Sequence, residues 1–344
     1  MRAVWVEDWK PFEELQLREV PRPDLGPRRL RIAVQAAGVS FATSLVVQGK
    51  YQRKPPRPFA PGTEVAGIVT EAGAEVTKFR PGDRVCAMLD WGGLAEEAAS
   101  LEVNTYKIPD SLPFPEAISF TNSYGTSAAA FTWPHLLDVQ QGDWLLVHGA
   151  AGGVGIAAVE IGKILGATVI ATASSQEKLD LVRAHGADHA INYRKQDFRE
   201  AVLELTSGRG VDKVYDPVGG EVFAQSLRCM APEGRICPVG FAGGTIQQIP
   251  ANLLLVKNLT VCGLNMGYYA GWSPDDVRYE YEGRIRGLMT QLFDWYEAGQ
   301  IQPVSGTVYP LERFQEAMAD VLGRKSLGRV ALVMGEEAKR RGWS

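Results

Sequence analysis

The residues best suited to binding a phosphorylated ligand lie between positions 144 and 165. A short apolar run, Trp144–His148, leads into Gly149-Ala150-Ala151-Gly152-Gly153-Val154-Gly155, and a helix-like apolar period continues to Leu165. Glycines let backbone N–H groups approach a pyrophosphate closely, and a helix N-terminus favours the negative charge. Strand, turn and helix occur in the order that a dinucleotide site requires. The predicted pyrophosphate contacts are Gly152, Gly153 and Val154.

The next predicted strand, Thr168–Thr172, indicates which dinucleotide would bind. NAD-binding sheets place an Asp or Glu at the end of this strand, on the ribose 2′-hydroxyl. Here the strand continues as Ala173-Ser174-Ser175-Gln176-Glu177-Lys178. Hydroxyls and a cation suit a 2′-phosphate, which a carboxylate would repel; Glu177 is the residue that could reverse this preference. We therefore predict NADPH, with its adenosine phosphate bound by Ser174, Ser175, Lys178 and Tyr193.

Composition and charge exclude several classes of function. The chain has 344 residues, of which 45% are hydrophobic and 22% charged, as in globular proteins. A net charge of −4 leaves no basic footprint for nucleic acid. The N-terminus lacks the apolar segment of a signal peptide, and no apolar run is long enough to span a bilayer. We expect a cytoplasmic protein with a small-molecule partner, and neither nucleic acid nor membrane as a partner.

The pattern of predicted elements divides the chain. The first part is rich in strands and turns, which predicts a small barrel-like β domain. From about Phe114 strands alternate with helices, which predicts a doubly wound parallel α/β sheet. Its predicted strands are Trp144–His148, Thr168–Thr172, Ala190–Asn192, Lys213–Asp216, Arg235–Val239 and Leu259–Leu264. A helix over Tyr279–Ala298 and a strand over Gly328–Met334 follow. We predict a nucleotide-binding domain over 123–266 and a discontinuous catalytic domain over 1–122 and 267–344.

Several motifs across the chain resemble the medium-chain dehydrogenase/reductase superfamily, in its zinc-independent quinone oxidoreductase branch. They are Gly38-Val39-Ser40-Phe41-Ala42-Thr43, Gly49-Lys50-Tyr51, Pro61-Gly62-Thr63-Glu64-Val65-Ala66-Gly67, Pro81-Gly82-Asp83-Arg84-Val85, the glycine turn, and Tyr215-Asp216-Pro217-Val218-Gly219. The resemblance implies a Rossmann sheet together with a GroES-like catalytic domain of the β-barrel type.

The resemblance also implies that no metal is needed. Zinc-dependent members of the superfamily have a Cys ligand where this chain has Ser40, and a His ligand where it has Thr63. A catalytic zinc needs three protein ligands of Cys, His or carboxylate type, and Glu64 supplies one. The four cysteines match no zinc or disulfide spacing, and their apolar settings predict buried, unreactive thiols.

Without zinc, the remaining chemistry is hydride delivery to an acceptor that is already electron-poor, such as a quinone or an α,β-unsaturated carbonyl compound. Similar enoyl-thioester reductases have a Tyr at the position of Tyr51, which makes it the candidate proton donor; the alternative is that Tyr51 only lines the pocket. Further aromatic residues that could line the site are Tyr124, Phe241 and Tyr268.

The remaining cofactor contacts are carried over from the resemblance. It implies a set of residues that contact the nicotinamide ring of the cofactor and the ribose attached to it. These residues are Phe41, Ala42, Thr43, Thr126, Val239, Gly240, Phe241, Leu264, Asn265 and Met266. Arg324 matches an arginine that reaches the 2′-phosphate. The chain departs from the family at Ser40 and Thr43, where Asn and Asp are usual, and at Pro217, where Ser is common.

Two other functions compete with NADPH-dependent quinone reduction. An enoyl-thioester reductase would need a basic rim for coenzyme A phosphates, which Arg53, Lys54 and Arg57 could supply. A non-catalytic NADPH-binding protein, comparable to a crystallin, would bind the cofactor without turnover. By resemblance we also expect a homodimer that pairs the edge strand Leu259–Leu264 with its two-fold mate.

Overall fold

The chain groups into two compact units in a computed structural model that describes residues 1–343. Unit 1 comprises Met1–Asn122, Gly267–Asp294 and Pro303–Ser344, and unit 2 comprises Ser123–Met266 and Trp295–Gln302. The segment Trp295–Gln302, which the sequence-based division assigns to the catalytic domain, thus belongs to unit 2. That each unit is an autonomous domain stays a prediction.

The longest segment of residues 1–343 without a helix or a strand covers residues 48–63, which join the helix Phe41–Val47 to the strand Glu64–Ala72. The strands are β1 (Arg2–Trp5), β2 (Gln16–Glu19), β3 (Arg29–Val39), β4 (Glu64–Ala72), β5 (Arg84–Met88), β6 (Glu97–Leu101), β7 (Thr105–Lys107), β8 (Trp144–Val147), β9 (Thr168–Ala173), β10 (His189–Asn192), β11 (Val211–Asp216), β12 (Met230–Pro238), β13 (Thr260–Val261), β14 (Ser305–Pro310) and β15 (Arg329–Val333). The α-helices are α1 (Phe41–Val47), α2 (Phe114–Ser119), α3 (Gly125–Thr132), α4 (Gly153–Ile164), α5 (Gln176–Ala184), α6 (Phe198–Leu205), α7 (Glu221–Arg228), α8 (Ala251–Lys257), α9 (Met266–Tyr269), α10 (Glu282–Glu297), α11 (Phe314–Leu322) and α12 (Gly335–Arg340).

Unit 1 is built on a sheet with the strand order β14-β15-β3-β4-β5-β7, in which β6 also pairs with β3. The long strand β3 pairs antiparallel with β4, β6 and β15, so it holds the centre of the unit. Its alternating apolar side chains, Leu30, Ile32 and Val34, are at most 1% exposed and pack into the core. The C-terminal strand β15 therefore belongs to the same sheet as strands from the first hundred residues.

Unit 2 is a parallel six-stranded sheet with the order β10-β9-β8-β11-β12-β13. Counted from β8, this is the order 3-2-1-4-5-6 of a Rossmann sheet, whose ligands bind beyond the carboxyl ends of the strands where the order reverses. The reversal falls between β8 and β11. The predicted fold class, a doubly wound α/β sheet with a GroES-like second domain, is confirmed.

Two predicted elements differ in extent from the observed ones. The edge strand predicted over Leu259–Leu264 is wrong in length: β13 covers Thr260–Val261 and pairs with Arg235 and Ile236 of β12. An edge strand has one neighbour to hold it, so the strand ends where that pairing ends. The predicted helix Tyr279–Ala298 begins three residues later, as α10. None of the helices in residues 1–343 combines the length and apolarity required to cross a membrane.

A close backbone approach shapes the turn between β8 and α4. Gly149 has a φ of 56°, and Gly152, with a φ of −83°, caps the helix without a side chain. A Cβ atom on Gly155 would lie 2.4 Å from the carbonyl oxygen of Gly149 and 2.6 Å from the carbonyl carbon of Ala150. The first turn of α4 can therefore pack on the preceding turn only because residue 155 has no side chain.

We expect Gly155→Ala to lower the free energy of unfolding by about 1–3 kcal/mol, because the new methyl group meets backbone atoms. Gly152→Ala is the matched control, since the nearest atom to its Cβ is 3.4 Å away. Urea unfolding followed by circular dichroism measures both variants. Equal losses of stability at the two positions would contradict the packing argument.

Candidate active site

A pocket in unit 1 lies between α1, the loop after it and the segment that follows β5. Its empty volume is about 440 Å³, which includes the part of the pocket that is open to solvent. Tyr51, Trp91 and Trp272 supply aromatic walls, and Arg53 and Asp90 supply charged groups. A flat, conjugated molecule fits such walls because aromatic side chains stack on planar groups.

Tyr51, the candidate proton donor, lines this pocket. Gly49, with a φ of 66°, turns the chain just before it, and a Cβ atom there would lie 2.9 Å from the ring of Trp9. Burial raises the pKa of the half-buried Tyr51 phenol, although a hydrogen bond with Gln52 lowers it. The phenol therefore stays protonated at neutral pH and can donate a hydrogen bond or a proton.

The start of α1 brings together the two residues that depart from the family pattern. The hydroxyls of Ser40 and Thr43 lie 3.0 Å apart, and the backbone N–H of Thr43 donates to Ser40 Oγ at 3.3 Å. Ser40 thus caps the helix, and Thr43 is only 5% exposed. Phe41 is 42% exposed, whereas Ala42 and Thr43 line the pocket.

A buried ion pair lies beside the pocket residue Thr63. The carboxylate of Glu64 is 1% exposed, accepts a hydrogen bond from Asn122 Nδ2 at 2.6 Å and pairs with the guanidinium of Arg329. A Cβ atom on Gly38 would lie 2.6 Å from Glu64 Oε2. Strand β3 can therefore pass this pair only with glycine at that position.

The donor atoms here do not fit a catalytic zinc. Ser40 and Thr63 offer hydroxyls where zinc sites use Cys and His, and the carboxylate of Glu64 is already neutralised by Arg329. Within residues 1–343, no group of three or more His, Cys, Asp or Glu side chains is arranged to hold a metal ion.

In unit 2, the predicted pyrophosphate residues lie at the N-terminus of α4. Gly152 is the N-cap, and Gly153 and Val154 form the first turn, where backbone N–H groups have no acceptor within the helix. The hydroxyl of Ser127 donates to the carbonyl of Val154 at 2.9 Å, which fixes this turn on α3. The cradle fits a dinucleotide pyrophosphate, since a Cβ atom at Gly155 would displace the backbone that forms it.

The predicted adenosine-phosphate residues meet at the ends of β9 and β10. The backbone N–H of Tyr193 donates to the carbonyl of Ala173 at 3.3 Å, which brings Tyr193 beside the Ser174–Ser175 turn. Ser175 is the N-cap of α5, and its hydroxyl accepts from the N–H of Lys178 at 3.4 Å. Glu177 is exposed on the first turn of α5. Arg324 belongs to unit 1, where it is exposed just after α11 with a φ of 54°.

The loops after β11 and β12 are fixed by a buried carboxylate. Asp216 is fully buried, and its Oδ1 atom accepts from the N–H groups of Val218 at 2.8 Å and Gly219 at 3.0 Å. A Cβ atom on Gly219 would lie 2.9 Å from the ring of Phe241. Val239, Gly240 and Phe241 thus lie against the Asp216 loop, and Leu264, Asn265 and Met266 follow the edge strand β13.

The side chain of Tyr124 does not face an open site, so its predicted lining role is wrong. Tyr124 is 2% exposed, and its hydroxyl donates to Glu160 Oε2 at 2.6 Å. Thr126, two positions further along, is 7% exposed.

His148, at the end of β8, is buried between the hydroxyls of Thr172 and Ser226, and burial lowers its pKa to about 4. This histidine is therefore neutral and structural.

All four cysteines are free and buried, as predicted. Burial raises the pKa of the Cys229 thiol to about 12 and raises that of Cys86 as well. These two thiols are therefore unreactive at neutral pH, since the thiolate is the nucleophile.

The sequence analysis missed four residues of the unit 1 site. Asp90, Trp91 and Trp272 line the pocket, and Arg329 neutralises Glu64. Asp90 and Trp91 do follow the Pro81-Gly82-Asp83-Arg84-Val85 motif closely, which is a weak signal. Trp272 and Arg329 lie about 180 and 240 positions further along, in segments without a recognisable motif.

Comparison with known proteins identifies the class. Residues 26–110 match the family model of the alcohol dehydrogenase GroES-like domain, and residues 153–279 match that of the zinc-binding dehydrogenases. The chain is 38% identical to quinone oxidoreductase-like protein 2 of Rattus norvegicus, over 93% of this chain and 89% of the relative. It is 33% identical to the human synaptic vesicle membrane protein VAT-1 homolog, over 94% and 84%.

Solved structures agree with this class. The quinone oxidoreductase of Pseudomonas syringae pv. tomato DC3000 has a TM-score of 0.87 and 29% identity, over 97% of this chain and 99% of that one. The Escherichia coli quinone oxidoreductase in complex with NADPH has a TM-score of 0.86 and 26% identity, over 97% and 100%. The chain is an oxidoreductase of the medium-chain dehydrogenase/reductase superfamily. Within it, the chain belongs to the branch of zinc-independent quinone oxidoreductases.

We expect Arg329→Met to lower the free energy of unfolding by about 3 kcal/mol, because it leaves a buried, uncompensated carboxylate at Glu64. The double variant Glu64→Gln, Arg329→Met should recover part of this loss, since the amide carries no charge. Arg324→Met, at an exposed position, is the control. A double variant as unstable as the single one in urea unfolding would show that the charge is not the cause.

Proposed function

We propose that the chain is an NADPH-dependent reductase of quinones or of other electron-poor α,β-unsaturated carbonyl compounds. The pocket of unit 1 carries this proposal, because it joins aromatic walls to a protonated phenol at Tyr51. The quinone oxidoreductases among the relatives support the same substrate class.

The phosphate-binding residues of unit 2 support NADPH as the cofactor. The turn after β9 offers the hydroxyls of Ser174 and Ser175 at the position where an NAD site has a carboxylate. Lys178 supplies a cation on the first turn of α5, and the backbone N–H of Tyr193 bonds to Ala173, the residue before Ser174. The nearby carboxylate of Glu177 is exposed. When bound, NADPH supplies a hydride to the acceptor.

The residues of unit 1 bind the acceptor and handle its proton. Tyr51, Trp91 and Trp272 stack on a planar acceptor and exclude water from its faces. Reduction leaves negative charge on the acceptor oxygen, which a protonated phenol stabilises by a hydrogen bond and can neutralise by proton transfer. The raised pKa of Tyr51 keeps the proton available throughout the neutral range.

We propose that this chemistry proceeds without zinc. A quinone or enone acceptor is already activated by its own conjugation, so no Lewis acid is needed to polarise an alcohol. The pairing of Glu64 with Arg329 supports this view, since the carboxylate is neutralised by a guanidinium.

Reduction of enoyl thioesters of coenzyme A has less support. Of the three cations that could form a phosphate rim, Arg53 is paired with Asp90 at 2.8 Å and Arg57 with Asp8 at 3.1 Å. Arg57 also lies over the ring of Trp9. Lys54 is exposed. Arg57 is thus engaged by Asp8 and Trp9, and Arg53 belongs to the pocket itself, so Lys54 alone is left for an outer rim that must bind several phosphates.

The test is steady-state oxidation of NADPH and of NADH with 1,4-benzoquinone, 9,10-phenanthrenequinone and crotonyl-coenzyme A as separate acceptors. We expect turnover with a quinone, a preference for NADPH, and no loss of rate with 1,10-phenanthroline. Tyr51→Phe should lower kcat about 100-fold or more if the phenol donates the proton, and should leave kcat and KM near the parent values if Tyr51 only stacks, because Phe keeps the ring.

Tyr279→Phe serves as the matched aromatic control for Tyr51→Phe, since Tyr279 is 45% exposed and is not a residue of the pocket. NADPH binding with no turnover on any acceptor would contradict the reductase and favour a non-catalytic, crystallin-like role. Turnover with crotonyl-coenzyme A alone would favour the thioester reductase.

We also propose that two copies of the chain pair through the edge strand β13. Among the described residues β13 has one sheet neighbour, β12, so its other edge can accept a strand. The preceding helix α8 exposes Leu255 (80%) and Val256 (75%), apolar surface that a partner would cover. A two-fold pairing buries the same surface on both copies.

Light scattering at micromolar concentration should give twice the mass of one chain. The double variant Leu255→Asp, Val256→Asp should shift the mass to that of the monomer, because each charge would be buried at the interface. Leu322→Asp, at an exposed apolar position of unit 1, is the control. A monomeric parent chain would contradict the pairing.

A further inference from the structure

One wall of the unit 1 pocket is a fixed arrangement of charges. Asp90 Oδ1 accepts hydrogen bonds from Arg53 Nη1 at 2.8 Å and from Arg278 Nη2 at 3.1 Å. Arg278 is 4% exposed and also pairs with Asp276 through its Nε atom at 2.7 Å. A single carboxylate thus holds two guanidinium groups, of which only Arg53 lines the pocket.

Arg53 is held in place from two sides. Its guanidinium lies 5.5 Å from the ring centroid of Trp91, which also lines the pocket, and Asp90 fixes its Nη1 atom. The side chain remains 27% exposed. A guanidinium positioned in this way loses little conformational entropy on binding a ligand. Its planar N–H groups match the geometry of the two oxygens of a carboxylate.

A second donor in the same pocket lacks an acceptor. The indole Nε1 atom of Trp272 is buried and has no hydrogen-bond partner within residues 1–343. A buried donor without a partner costs free energy that a ligand oxygen can recover. By contrast, the hydroxyls of Ser40 and Thr43 bond to each other. The pocket wall therefore holds the Arg53 guanidinium, positioned by the carboxylate of Asp90, between aromatic side chains.

From these contacts we infer that the preferred acceptor is an electron-poor alkene that bears a carboxylate, bound by Arg53. The inference rests on the proposed reductase function and narrows its substrate class. Trp272 Nε1–H meets an oxygen of the same molecule. In the reaction, the alkene π bond breaks, one carbon gains the hydride from NADPH and the other gains a proton. The products are the saturated acid and NADP⁺.

The test compares 3-benzoylacrylate with its methyl ester, which share the conjugated core and differ in charge. Both are thiol-reactive, but all four cysteines of the chain are buried. We expect Arg53→Gln to lower kcat/KM for the acid roughly tenfold more than for the ester, mainly through KM. Arg57→Gln is the matched control, since this arginine does not line the pocket, and both rates should stay at parent values.

A binding measurement without turnover completes the test. Isothermal titration calorimetry with the saturated acid 3-benzoylpropionate should show roughly tenfold weaker binding to Arg53→Gln than to the parent chain. Arg53→Lys, which keeps the charge but not the planar N–H groups, should give an intermediate value, and it serves as the second variant if Arg53→Gln does not fold.

The outcomes separate this inference from the proposed function. Equal kcat/KM for acid and ester in the parent chain, or equal losses for both in Arg53→Gln, would overturn the carboxylate site while ester turnover keeps the reductase. Absence of turnover on every acceptor would overturn the proposed reductase function. Calorimetry would still test whether Arg53 binds a carboxylate. Equal affinity of 3-benzoylpropionate for parent and Arg53→Gln would overturn the carboxylate site.

Discussion

The buried carboxylate of Glu64 is the constraint around which unit 1 is assembled. A charge that is 1% exposed must be met by donors, because an uncompensated buried charge costs several kcal/mol. Its donors come from Asn122 and from Arg329 on the C-terminal strand, 265 positions away. Strand β3 passes the pair at Gly38, where a Cβ atom would collide with it. One ion pair thus fixes three distant segments beside the pocket.

Unit 2 contains a second buried carboxylate, which is likewise met by hydrogen-bond donors. Glu160, on α4, is 5% exposed and is met by Tyr124, by His185 Nδ1 at 2.6 Å and by the backbone N–H of Gln302 at 3.0 Å. Burial, together with this carboxylate, raises the pKa of Tyr124, so its phenol remains a donor. The helix α4, which begins at the glycine turn, is therefore held inside an apolar core by the polar contacts of Glu160.

The sequence was sufficient where the relevant residues are neighbours along the chain. The strand, glycine turn and helix around Gly152 could be predicted because one short segment contains all of them. The edge strand was predicted too long, since apolar residues there fit a strand whose pairing in fact ends at Val261. The Glu64–Arg329 pair and the Trp272 wall could not be predicted, because ordinary charged and aromatic residues give no signal of a contact across about 180 positions or more. The predicted cofactor residues remain predictions of role, although the backbone of Tyr193 does bond to Ala173, the residue before Ser174.

The contact between Glu160 and Gln302 has a consequence for how this chain can be divided. Gln302 belongs to the segment Trp295–Gln302, which joins unit 2 although it is separated from Met266 by residues of unit 1. A fragment that ended at Met266 would retain the whole parallel sheet and the glycine turn, yet its buried Glu160 would lose one of three donors. Unit 2 is therefore not one continuous stretch of the sequence, and a fragment limited to Ser123–Met266 would lack part of what satisfies its buried carboxylate.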